Sequence, residues 1–149
     1  MDAMTILKRC RASSAELEEL DARIRQRRDA VTMISVSLDR DGGRGPSTDR
    51  LADAAAAVAD LEKKAERRRE RQAVELVAVT ALADRLPGVQ GRIIFLYYGK
   101  AMTVRAAAKR VKYTEGYVRK LRREAEDQLR SVPETEVDEL VPPWYLLNE

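Results

Sequence analysis

The chain has 149 residues, 36% of them charged and only 5% aromatic, which suits a thin helical core better than a thick globular one. A single cysteine, Cys10, and no histidine leave no internal disulfide, argue against a zinc site, and remove serine–histidine and cysteine–histidine catalysis. No run is long enough to span a membrane and the N-terminus lacks a signal-peptide stretch, so a cytoplasmic protein with no membrane partner is expected.

The charge is unevenly spread. Residues 1–90 carry 17 basic and 16 acidic residues, residues 91–130 carry 11 and 4, and residues 131–149 carry no base and 5 acids. A local basic field of that kind is the footprint of a polyanion partner.

In chain order, the first helical pattern places Leu17, Leu20, Ile24, Val31, Ile34 and Leu38 on one stripe of steps of three, four and seven, with Arg27 at the missed seam position. Ser13 and Glu16 have the spacing of a capping box, although a start near Thr5 also fits. Three glycines and a proline in "DRDGGRGPS", Asp39 to Ser47, then break the pattern. A second helix is predicted from Ser47–Asp49 to about Leu86, with Leu51, Ala54, Val58, Leu61 and Ala65 on its seam. "ERRRER", Glu66 to Arg71, interrupts that seam as a solvated stretch, and Val74, Val77, Ala81 and Leu82 resume it. About 38 residues of helix span roughly 57 Å, so the seam needs the first helix folded back against it or a second chain. Its alanine-rich middle buries little area, so a homo-oligomer, a dimer first of all, is expected.

"LPG", Leu86 to Gly88, stops the long helix. The apolar run in "GRIIFLYYGK" has no partner strand elsewhere and is read as a short buried helix. Thr103 then caps "VRAAAKRV", and Thr114 caps a helix from Glu115 to about Ser131. The remainder, "PETEVDELVPPWYLLNE", is acidic, contains prolines and is expected to be extended. Its apolar "WYLL" end either folds back on the chain or a mate, the favoured reading, or docks on a partner protein.

The pair of helices around "KYT" has the residue types of a helix-turn-helix. Ala108 supplies the small residue at the crossing, Val111 closes the first helix, and Val118 and Leu121 supply the buried contacts of the second. Glu115, Gly116, Tyr117, Arg119, Lys120 and Arg123 are then left facing outward, the surface that enters a major groove in such motifs. The turn position that favours glycine, because it wants positive φ, is held by Lys112.

"LPGVQGRIIFLYYGKAMTVRAAAKRVKYTEGYVRKLRREAEDQL" resembles region 4 of bacterial sigma factors. The order is the same: an Arg-led apolar helix ending in Tyr-Tyr, a Thr-capped helix with Ala-Ala, and a Thr-capped reading helix. The whole layout resembles phage and prophage late transcription regulators of the RinA/ArpU type, which place a helical hairpin with a glycine-rich tip before such a domain. The implied fold is all-α, with a helical hairpin over 1–86, a DNA-binding domain over 87–131 and a tail over 132–149. By the resemblance, Thr114, Glu115, Gly116, Tyr117 and Lys120 read bases, while Arg105, Arg119, Arg122 and Arg123 hold phosphates. Lys and Arg donate to guanine edges, Glu accepts from cytosine, Tyr117 can meet a thymine methyl or a phosphate, and Gly116 lets the backbone come close. The implied partners are double-stranded DNA and bacterial RNA polymerase, with no cofactor.

Two other classes fit parts of the pattern. One is a DNA-packaging recognition subunit of the small-terminase kind, and the other a coiled-coil adaptor. An enzyme is not expected: no phosphate-binding loop follows a strand, and nothing gathers two carboxylates in a pocket.

Overall fold

Two long helices, α1 (Ala3–Asp41) and α2 (Pro46–Ala83), open the computed structural model, which describes residues 1–41 and 46–147. They run antiparallel as a hairpin. Shorter elements follow: α3 (Gln90–Ile94), a π-helical turn (Phe95–Gly99), α4 (Val104–Val111), α5 (Glu115–Arg130), α6 (Glu134–Glu139) and α7 (Pro143–Leu147). No strand occurs among the described residues, so the run "IIFLYY" is helical, as the lack of a partner strand predicts. The glycines of the expected break, Gly42, Gly43 and Gly45, lie outside the described residues.

The chain divides into two compact units, one of residues 16–69 and one of residues 1–15 with 70–149. In the first, Leu17, Leu20 and Ile24 of α1 are buried against Leu61 and Ala65 of α2. Burying one such side chain supplies about 1.5–3 kcal/mol. Three ion pairs flank the seam: Arg68 to Glu16 at 2.7 Å, Arg69 to Asp21 at 2.7 Å, and Arg28 to Glu62. All six side chains are partly or largely exposed, so each pair contributes no more than about 1 kcal/mol and the apolar seam dominates. Arg68 and Arg69 belong to the "ERRRER" stretch, which therefore pairs across the hairpin as well as facing water.

The second unit has two cores. Ala3, Ile6, Leu7 and Cys10 of α1 pack with Ala78, Val79 and Leu82 of α2, with Ala125 and Leu129 of α5, and with Val137, Val141 and Tyr145 near the C-terminal end. Ile93, Leu96, Ala107, Ala108, Val118 and Leu121 form the other core, among α3, the π turn, α4 and α5.

Three expectations are corrected here. The helix starts at Ala3, where the Asp2 carboxylate accepts from the Thr5 amide at 2.7 Å, and Ser13 is buried in mid-helix; no capping box forms there. Of the four residues expected on the α2 seam beyond Arg71, Leu82 is buried, Val74 packs against the core and Ala81 is half-buried, but Val77 is 65% exposed, and Glu75, Ala78, Val79 and Ala83 are the further buried positions. A pattern of apolar residues marks that face only in part, because it also holds a carboxylate and small alanines. The tail is helical in two short pieces rather than extended, although the favoured reading of "WYLL" holds: it packs on its own chain through Tyr145, which is completely buried.

Tyr145 owes its depth to Glu75. The phenol donates to the Glu75 carboxylate at 2.6 Å, and the carboxylate is 1% exposed. Arg71 covers the Tyr145 ring, 4.8 Å from its centroid. Burial, then the bond to Glu75, pushes the phenol from 10.0 up to about 12. A buried carboxylate is costly unless it keeps its donors.

Tyr145→Phe is expected to cost about 1–3 kcal/mol, because it leaves Glu75 buried without that donor; urea unfolding at neutral pH measures it. A phenol whose folded value lies above its ordinary one contributes stability that is full below pH 10 and lost as pH rises toward 12. The difference between wild type and variant should therefore shrink over that alkaline window. A constant difference would show that the phenol does not carry it.

Candidate functional site

α4 and α5 are joined by three residues, Lys112 to Thr114, and both helices are capped by threonine. The Thr103 hydroxyl accepts from the Ala106 amide at 3.1 Å, and the Thr114 hydroxyl from the Tyr117 amide at 3.2 Å. Lys112 is left-handed, with φ 63° and ψ 39°, and the Tyr113 amide donates back to the Ala108 carbonyl at 3.1 Å. The chain thus accepts the backbone that usually selects glycine, and the hydrogen bond closes α4. Ala107 and Ala108 are buried where Val118 and Leu121 pack against them. Their lack of bulk lets the two helices approach.

The scaffold behind this pair is polar as well as apolar. The π turn is tight: a Cβ on Gly99 would lie 3.2 Å from the Phe95 ring. Tyr97 lies between two guanidinium groups, Arg11 at 3.9 Å and Arg122 at 4.2 Å from the ring centroid. Arg11 also donates to the carbonyls of Tyr97, at 2.5 Å, and Met102, at 2.9 Å. Ser14 donates to the Gly99 carbonyl at 2.8 Å and accepts from Gln72 at 3.0 Å. On the α5 side, the Tyr98 phenol donates to Glu126 at 2.5 Å, and burial followed by that bond raises its pKa.

The residues singled out in the sequence fall into two groups. Arg105, Thr114, Gly116, Tyr117, Arg119, Lys120 and Arg123 are exposed, and Glu115 is half-buried. Those on α5 share its outward side from the first turn to Arg123. Glu115 and Arg119 approach to 3.4 Å one turn apart, and Arg123 donates to the Arg119 carbonyl at 3.4 Å. Arg105, Lys109, Arg110, Lys112 and Lys120 take part in none of the ion pairs among the described residues. Arg122 differs: it is partly buried, stacked over Tyr97, and its Nε lies 3.4 Å from Glu126, an ion-pair distance without hydrogen-bond alignment.

Sequence reasoning missed two kinds of residue. Tyr113 is exposed beside Tyr117, their rings edge to face at 5.1 Å; its place in the turn next to Lys112 was the available signal. Arg11 and Ser14, far away in sequence, brace the π turn, and no local pattern marks them.

Among the described residues no group of His, Cys, Asp and Glu could hold a metal ion, and no helix is long and apolar enough to cross a membrane. Cys10 is completely buried, and burial, then the nearby Glu75 carboxylate, raises its thiol to about 12, which leaves it unreactive. No protein-family model, no curated protein and no solved structure matches the chain.

Lys112→Gly is expected to stabilise the unit by roughly 0.5–1 kcal/mol: relief of left-handed strain is worth about 1–2 kcal/mol, less the greater freedom glycine has in the unfolded chain. Lys112→Val, β-branched at positive φ, should destabilise it. Thermal unfolding of both variants checks the pair, and the reverse order would contradict the turn geometry.

Proposed function

We propose that this chain binds double-stranded DNA in a sequence-specific manner and regulates transcription, of phage or prophage genes by the layout it shares with their late regulators. In this reading α4, the turn and α5 are a helix-turn-helix of the sigma-region-4 kind. The observation that carries it is the outward side of α5. One short helical surface combines a donor-rich set (Arg119, Lys120, Arg123) with an acceptor (Glu115), an aromatic (Tyr117) and a bare backbone (Gly116). Arginine and lysine can donate to guanine edges and glutamate can accept from cytosine, so the set is suited to reading bases as well as holding charge.

Phosphate contacts belong to the flanks of that surface. Arg105 and the exposed Lys109 and Arg110 of α4 are available for them, as are Arg119 and Arg123. Arg122 serves the fold first, through Tyr97 and Glu126, and a phosphate contact from it would compete with both. The hairpin of residues 16–69 is then left to dimerise or to touch RNA polymerase. No step in this function needs a cofactor or a catalytic group.

Fluorescence anisotropy on duplexes selected from a random pool tests the reading, with salt as the second variable. Tyr117→Ala combined with Lys120→Ala is expected to abolish preference for the selected sequence and to spare weak binding to any duplex. Arg105→Ala should weaken all duplexes alike and reduce the slope of log affinity against log salt by about 0.9, one phosphate contact. If the wild type selects no sequence and its weak affinity vanishes by physiological salt, the regulator reading fails.

A further inference from the structure

Two features at the tip of α5 have no explanation within the fold. Gly116 lies in the first turn and is exposed, its φ is not positive, and a Cβ built there meets no atom within 4 Å. Nothing in the chain requires glycine at this position, and glycine is among the poorest helix formers. The second feature is the pair Tyr113 and Tyr117. They are 46% and 44% exposed, with rings 5.1 Å apart at 77°. The backbone is held at both, Tyr113 by its amide on the Ala108 carbonyl and Tyr117 by its amide on the Thr114 hydroxyl, and the rings hold each other edge to face.

A bare backbone next in the chain to an exposed aromatic ring makes a small apolar step. The charged side chains around it are Lys112, Arg119 and Lys120, with one carboxylate, Glu115, paired to Arg119 at 3.4 Å, so the surface is cationic on balance. Such a surface fits a ligand that is anionic all around and apolar at one point. On the floor of the major groove that point is the C5-methyl of thymine, the one apolar group there.

We propose that Gly116 and the Tyr113–Tyr117 pair form a single contact that selects thymine through its C5-methyl. Gly116 provides the clearance, and the Tyr117 ring provides the wall. Tyr113 is a positioning residue, which holds the Tyr117 ring edge to face. The proposal rests on the duplex-binding reading above and adds the base and the atom recognised.

The test replaces each thymine of a selected duplex, one at a time, with deoxyuridine, which removes only the methyl. Wild type is expected to lose about fourfold in affinity at one or more positions, the factor that burying one methyl group supplies. In Tyr117→Ala the same replacement should change nothing, whereas Tyr117→Phe should keep the discrimination and Tyr113→Ala should weaken it. Gly116→Ala, which meets nothing in the fold, should melt no lower than wild type yet bind the selected duplex more weakly; equal affinity would overturn the part given to Gly116. A selected duplex with no methyl-sensitive thymine, or a sensitivity that survives Tyr117→Ala, overturns the proposal and leaves duplex binding standing. Failure to select any duplex, or a preference for single strands on which tyrosines could stack, overturns both readings.

Discussion

Val118 and Leu121 are buried in one core of the larger unit, Ala125 and Leu129 in the other, and all four belong to one helix, α5. A single rigid rod shared by two cores cannot roll about its axis without opening both. The outward side of α5 is therefore fixed by apolar packing at both ends, and the direction of Tyr117, Lys120 and Arg123 follows from it. The small residues Ala107 and Ala108 complete the constraint, since a larger side chain at the crossing would push α5 away from α4.

The polar scaffold refines the same placement. Tyr97, with Arg11 on one side and Arg122 on the other, joins the first turns of α1 to the π turn and to α5. Arg11 supplies donors to two backbone carbonyls, Tyr97 in the irregular π turn and Met102 in the loop that follows it. Carbonyls buried without a donor cost free energy, so a charged group that serves two is well used. This explains how fifteen residues at one end of the chain come to support a surface more than a hundred residues away.

Much of this surface was legible in the sequence because its determinants are local. Threonine caps at Thr103 and Thr114, the small Ala108, the apolar pair Val118 and Leu121, and the turn at Lys112 all act within a few residues of themselves. The hairpin seam was legible for the same reason, since Leu17, Leu20 and Ile24 repeat at helical spacing. What escaped depends on residues far apart. Glu75 reads as a surface carboxylate until Tyr145 is placed against it, and the proline-rich tail reads as extended until Tyr145, Val137 and Val141 find their core. Val77 fits the seam by its three-residue step from Val74, whereas in the structure its neighbour Ala78 is the buried residue.

The wide sequence separation of these contacts also sets an order of assembly. Two of the hairpin's ion pairs, Arg28–Glu62 and Arg69–Asp21, join residues 34 and 48 positions apart, whereas Tyr145 reaches back 70 positions to Glu75 and Arg11 reaches forward 86 to Tyr97. Each longer loop costs more entropy to close, and the cost falls once an inner loop is already shut. A hairpin formed early brings residues 1–15 to residues 70–83 and shortens every later closure. During synthesis, Ile6, Leu7 and Cys10 must wait without their last partners until Tyr145 has emerged, so the surface on α5 gains its full rigidity only after that residue has joined their core.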